Sequence, residues 1–254
     1  MTTTPMKRSL VHDSVLMTAR ELKPALTDPF YLIFGLVQPV FFLLLFGPLV
    51  HAEAGTSLSW FVPGILVMIA LFGTAGAGSG LQTDMIDGSF ERILVTPLSR
   101  PSLFLGRSLK EFFPIVIQAV VITVATVLFG FRPNPLGLLL GMVLLGIIGM
   151  GIGAFSYTLA LVTRKHDWMF WIVQQTLLFP LMILSGILLP LDGAPAWMRV
   201  LSTANPLTHV VNAERDLFAG QLTTSNVGWG FLAALLTASL GILAGLRALR
   251  STSR

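Results

Sequence analysis

The sequence predicts an all-α polytopic membrane protein with six membrane-crossing helices, and three observations carry that. Only 11% of its 254 residues are charged, against roughly 25% in an ordinary soluble domain. Those few charges leave six uncharged stretches, 29–52, 54–83, 112–131, 133–163, 168–191 and 217–246, each at least 20 residues long. A helix crossing hydrocarbon needs about 20 predominantly apolar residues, whereas a soluble helix of that length needs a charged face. The basic residues are also one-sided. With the N-terminus inside, thirteen fall on the inner side: Lys7, Arg8, Arg20, Lys23, Arg92, Arg100, Arg107, Lys110, Arg164, Lys165, Arg247, Arg250 and Arg254. Three fall outside, Arg132, Arg199 and Arg215. Short loops rich in Lys and Arg stay cytoplasmic, so both termini are expected inside. The spans are placed near Phe30–Val50, Trp60–Thr83, Phe112–Phe131, Leu136–Val162, Trp168–Leu189 and Gly228–Leu246.

Before the first span, residues 7–23 read as a helix with Val11, Val15, Ala19 and Leu22 on one face and Arg8, Arg20 and Lys23 off it. Pro24 and then Asp28-Pro29 break the pattern. Residues 1–28 are therefore expected to lie in the cytoplasmic interface plane; a plain amphipathic lead-in is the alternative. Four basic residues precede the first span and no cleavage site follows a short apolar run, so that span is expected to be retained.

The longest inner connection is 84–111. Gly88-Ser89 can open a short helix there, with Ser89 as cap, and Pro97 and Pro101 stop it. Phe90, Ile93 and Leu94 share its apolar face, with Glu91 and Arg92 off that face. Such a helix suits docking into a groove on a soluble partner, or else rests on the membrane surface. On the outer side, 190–216 carries Pro190, Pro195, Trp197 and Asn205-Pro206 around an uncharged run of 14 residues, 200–213. Fourteen is too short to cross and suits a re-entrant piece, with Trp197 as an interface anchor. The expectation is two short helices dipping back into the outer leaflet over 190–213; an ordinary external loop is the alternative. Residues 29–250 then form a single transmembrane domain, and 251–254 a cytoplasmic tail. Gly76/Gly80, Gly137/Gly141, Gly149/Gly153 and Gly241/Gly245 recur four apart, a spacing that lets helices approach closely.

Much chemistry is missing. With no cysteine there is no disulfide, thiol nucleophile or thiolate metal site. A net charge of +4 spread over short loops is not a nucleic-acid stripe. The span interiors hold no Asp, Glu, Lys, Arg or His; their strongest polar groups are Gln38, Gln118, Gln174 and Gln175, with Gln82 near an inner end. Proton relays and intramembrane catalytic dyads need such charges. His12, His51, His166 and His209 form no metal-ligand motif, and no Gly-Lys pair supplies a P-loop. No catalytic, cofactor or metal residue is expected in this chain. A membrane domain with a docking-like helix and no motor of its own implies that another polypeptide supplies the energy.

Four segments resemble the type-2 export permeases of ATP-binding-cassette (ABC) transporters, in their daunorubicin-resistance-type drug-export branch. "TDPFYLIFGLVQPVFFLLLFG" (27–47) looks like that branch's first span, and "FVPGILVMIALFG" (61–73) like its second. "DMIDGSFERILVTPLSRPSLFLGRSLKE" (84–111) resembles its coupling-helix loop. "FPLMILSGILLPLDGAPAWMRVLSTANPLTHVVNAERDLFAG" (179–220) is similar to its outer hairpin. The resemblance implies a permease that pairs with a second permease, a copy or a paralogue, and with two copies of a separate ABC ATPase that holds ATP and Mg. On this sequence the ATPase contact would be Ser89, Phe90, Glu91, Arg92, Ile93 and Leu94, residues 7–23 the gating helix, and the outer gate Pro190, Trp197, Asn205 and Pro206. The expected setting is a bacterial plasma membrane.

The expected cargo is an amphipathic, largely apolar compound. Phe34, Gln38, Phe41 and Phe42 of span 1, or Gln174, Gln175 and Phe179 of span 5, can stack rings and orient polar edges; alternatively the phenylalanines face lipid. A lipid or lipid-linked glycan is the other cargo class, and a non-transporting membrane scaffold the rival function.

Overall fold

The computed structural model describes residues 10–27, 29–53, 58–89, 92, 99–164 and 166–251. Among the described residues all regular structure is helical: α1 (Leu10–Thr27), α2 (Pro29–Glu53), α3 (Leu58–Ala75), α4 (Ala77–Ile86), α5 (Arg100–Lys110), α6 (Phe112–Val127), α7 (Pro135–Val162), α8 (Asp167–Leu184), α9 (Ala196–Ala204), α10 (Pro206–Phe218) and α11 (Ser225–Ser251).

Among the described residues five segments are long and apolar enough to cross a membrane: Leu58–Ile86, Pro101–Val127, Pro135–Val162, Asp167–Leu184 and Ser225–Arg250. The first uncharged stretch forms α2, whose described apolar run is the shorter Gly35–Phe46. Polar caps punctuate the chain. Asn134 accepts from the amides of Leu136 and Gly137, Ser99 from Ser102, and Asn205 from Leu207. In each case a proline opens the helix that follows, where its missing N–H costs nothing. Pro101 therefore starts α5 rather than only ending an earlier helix.

The bundle is built around α3 and α7. Every residue from Phe61 to Leu71 is buried, because α2, α6, α7, α8 and α10 all pack against α3. An all-apolar helix is what such a position requires. Leu144, Leu145 and Ile148 of α7, Ile115 and Ile122 of α6 and Val210 and Leu217 of α10 complete this core. By contrast α8 leaves Trp168, Trp171, Ile172, Leu177 and Ile183 exposed. A smaller cluster at the opposite end joins Leu81, Phe104, Tyr157, Leu161, Phe170 and Leu249.

Two sequence expectations change. The second span is not one helix: it turns at Gly76, and α4 restarts at Ala77. Ser156 of α7 bridges the interruption, accepting from the Gly78 amide at 2.9 Å and donating to the Ala75 carbonyl. A hydroxyl from a neighbouring helix is how a broken membrane helix keeps its backbone groups satisfied. Residues 100–110, expected as loop, instead form α5 and run almost directly into α6. Helix α1 presents its apolar stripe away from the bundle. Val11 and Val15 are 69% and 55% exposed, while Asp13, Ser14, Met17 and Thr18 are buried. The buried side lies on α5, where the Thr18 hydroxyl reaches the Gly106 carbonyl at 3.2 Å.

Candidate functional site

Three places gather polar groups. The first is where α1, α4 and α5 meet. Ser14 and Met17 sit against Gly106, and this close approach brings the two helices' charges together. Arg107 of α5, 6% exposed, donates to Glu21 of α1 at 3.3 Å and to Asp84 of α4. One guanidinium fork thus ties the N-terminal helix to the end of the broken second span, two residues before the loop that carries Ser89. A turn further on, buried Glu111 accepts from the Tyr157 hydroxyl of α7 and lies 3.6 Å from Lys110. Ser89 is half-buried and Arg92 exposed; Phe90, Glu91, Ile93 and Leu94 lie outside the described residues.

The second is a cavity of about 430 Å³ between α3, α7 and α8. Its walls are nearly all apolar, with Leu71, Ile152, Phe155 and Leu178 among them, and Gln174 in the lining. Gln174 Oε1 is buried without a hydrogen-bond partner. Gln175 and Phe179 are exposed, Phe179 meeting Phe72 edge-on with centroids 6.2 Å apart. On α2, Gln38 is half-buried, Phe41 is exposed, and Phe42 stacks on Phe46 at 5.5 Å; the Phe34 side chain lies outside the described residues. Gln118 of α6 packs against Gly35 and Gly73. The α2 and α8 candidates are therefore on separate helices that both pack on α3, and of the six whose side chains are described only Gln174 lines this cavity.

The third is the hairpin of α9 and α10. Asn205 fixes its corner: Oδ1 accepts from Leu207, and Nδ2 donates to the Leu181 carbonyl of α8 at 2.8 Å. Pro206 opens α10, and Pro190 and Trp197 are exposed. Gly186, with φ +70°, lets the chain reverse after α8. The seat of α10 on α7 is unusually close, for Gly137 lies against the Leu217 carbonyl and Gly141 against Glu214 and Phe218.

The hairpin also carries two charges that the sequence placed outside the apolar interior. Arg215 donates to the Trp60 and Gly186 carbonyls at 3.1 and 2.8 Å, and its guanidinium lies 3.8 Å over the Trp60 ring. Burial pulls its pKa down to about 10. It borders a second, polar cavity of about 380 Å³ with Arg199, Ser202 and Asn212. Glu214 is fully buried, and burial pushes its carboxyl well above the usual carboxylate range. The only sequence signal for either was the Gly137/Gly141 pair. Among the described residues no three His, Asp or Glu side chains form a metal-ligand group.

A family model described as ABC-2 type transporter matches residues 13–219. The chain belongs to the ABC-2 type transporter family. The chain is 31% identical over 220 residues to a putative transport permease, ycf38, of Cyanophora paradoxa, covering 83% of this chain and 73% of that one. It is 27% identical over 222 residues to the daunorubicin resistance ABC transporter permease protein DrrB1 of Streptomyces coeruleorubidus, covering 85% of this chain and 76% of that one. It is 24% identical over 186 residues to a probable multidrug ABC transporter permease, YbhR, of Escherichia coli, covering 72% and 50%. As an ABC-2 chain it is a multi-pass membrane permease.

Proposed function

We propose that this ABC-2 chain is the membrane subunit of an ATP-driven exporter that crosses a bacterial plasma membrane six times with both termini inside. Its partners are a second permease and two copies of a separate ABC ATPase, which holds ATP and Mg; this chain contributes no nucleotide site. Family membership supports the class, and the Arg107 cluster carries the mechanism. That fork joins α1, α4 and α5 around the loop containing Ser89–Leu94, so a displacement of the loop is passed to two helices at once. The 190–213 hairpin, with Pro190, Trp197, Asn205 and Pro206, is read as the re-entrant outer gate.

The cargo is read as an amphipathic, largely apolar compound. A ring system fits the apolar walls beside α8, and a hydroxyl or amine on it satisfies the stranded Gln174 oxygen. The drug-resistance and multidrug names of two relatives agree with this.

Co-expression with a cognate ABC ATPase tests the coupling role. Phe90→Ala with Ile93→Ala should lose permease-stimulated ATP hydrolysis and export. A double variant that still co-purifies with the ATPase and exports normally removes the coupling assignment. For the cargo, Gln174→Leu should weaken equilibrium binding of daunorubicin, used as probe, by about fivefold, the worth of one hydrogen bond of about 1 kcal/mol. Unchanged affinity takes the α8 cavity out of the transport path.

A further inference from the structure

Four buried side-chain oxygens lack a hydrogen-bond partner among the described residues: Asp13 Oδ1, Gln174 Oε1 and both carboxyl oxygens of Glu214. Glu214 has thus lost both acceptor atoms to an apolar seat formed with Gly141 and Phe218. An ionised carboxylate there goes uncompensated and bears the full desolvation penalty of a buried charge; a protonated carboxyl bears far less.

The charged and titratable groups around it do not relieve this. Helix α3 has none, and α7 has only Tyr157, which bonds Glu111 at the other end. Asp167 of α8, and Arg247 and Arg250 of α11, also sit at that far end. On the hairpin, Arg199 lines the polar cavity and Arg215 is spent on two carbonyls and Trp60. Asp216 accepts from Thr224 and Asn226, and His209 meets the Thr203 carbonyl and the Trp229 ring. Arg132, in the loop before α7, is exposed.

From this geometry we infer that Glu214 is a proton-binding site, filled while α10 is seated on α7 and emptied when α10 lifts and water reaches the carboxyl. The inference rests on the reading of the hairpin as a moving gate. The proton comes from, and returns to, the aqueous phase on the hairpin side, so none is carried across. The sign follows from linkage. The lifted state titrates near the ordinary carboxylate value of about 4.3, and the seated state above it. Below both values the two states are protonated alike and pH has no effect. Between them the seated state holds one more proton, so each unit of rising pH shifts the balance about tenfold towards the lifted state. Above both values the dependence ends.

The test uses the full chain in lipid nanodiscs. Difference infrared spectra at neutral pH should show a protonated-carboxyl stretch in the wild type that Glu214→Gln lacks. Glutamine is a neutral near-isostere; should that variant misfold, labelling glutamate carboxyls with carbon-13 must shift the same band in the wild type. A missing or unshifted band overturns the inference. For the coupling, the chain has no native cysteine, so Val210→Cys, at a fully buried α10 position, reports lifting through its thiol-labelling rate. Dividing by the rate in the Glu214→Gln background removes the thiol's own titration. The quotient should rise with pH, up to about tenfold per unit. A flat quotient with the infrared band present overturns the gating link, and neither arm depends on the ATPase assignment.

Discussion

Arg107→Met should destabilise the permease by about 3 kcal/mol, the lower end of the cost of breaking a buried ion pair. Methionine keeps an apolar stem in the space that the arginine stem fills, so the loss is one of charge. Glu21 and Asp84 are then left without their shared cation. Asp84 has a 34% exposed side chain and regains some water, while Glu21, at 19%, regains less. That partial exposure sets the value at the lower end. Adding Glu21→Gln and Asp84→Asn to Arg107→Met should restore most of the stability, since no stranded charge remains. Denaturant titration of the full chain in detergent measures both; equal losses in the single and triple variants would mean that packing, not charge, explains the effect. Transport by the triple variant should stay low, because the tie between α1, α4 and α5 is gone even where stability has returned.

Gly137→Ala is expected to cost about 3 kcal/mol, the upper part of the overpacking range. A methyl at this position falls on the main-chain carbonyl of Leu217, which no rotamer change can move aside. Helix α10 must then shift bodily from α7. Gly141→Ala should cost less, because it meets the side chains of Glu214 and Phe218, and these can turn. The same denaturant titration ranks the two variants, and a neutral Gly137→Ala would refute the close seat of α10.

Both predictions concern charges and glycines whose meaning was only half legible in the sequence. Uncharged stretches located the helical segments well because crossing hydrocarbon leaves few other options. The two short helices of the hairpin were expected, and the structure adds that Asn205 caps and Pro206 opens the second of them. The seat of Glu214 was not legible. Counting charges marks where a span ends and is silent on whether the next helix folds back, so the uncharged run 200–213 stops one residue short of the buried carboxyl. Helix α1 was legible in its period but not in its partner: the small polar face of Ser14 and Thr18 packs on α5 and the valines point away. Between helices in a membrane protein, small and polar residues make the contact, and the apolar stripe alone does not mark that face. The 84–111 loop fell between these cases: Pro101 was read as a stop, and its fixed φ opens α5.

The turn at Gly76 gives the second span a lever. Above it, α3 is enclosed by five helices. Below it, α4 is tied through Asp84 to Arg107, and at the joint the Ser156 hydroxyl bridges Ala75 and Gly78 while Ser79 bonds the Gly76 carbonyl. The ten residues of α4 rise about 1.5 Å each, so the arm is about 15 Å long, and a swing of about 10° carries its tip by about 3 Å. A displacement of that size at Ile86 needs no sliding of α3 inside the core. Movement imposed at the loop can therefore be large in distance while the enclosed half of the same span stays still, and Ser156 is the pivot at which one becomes the other.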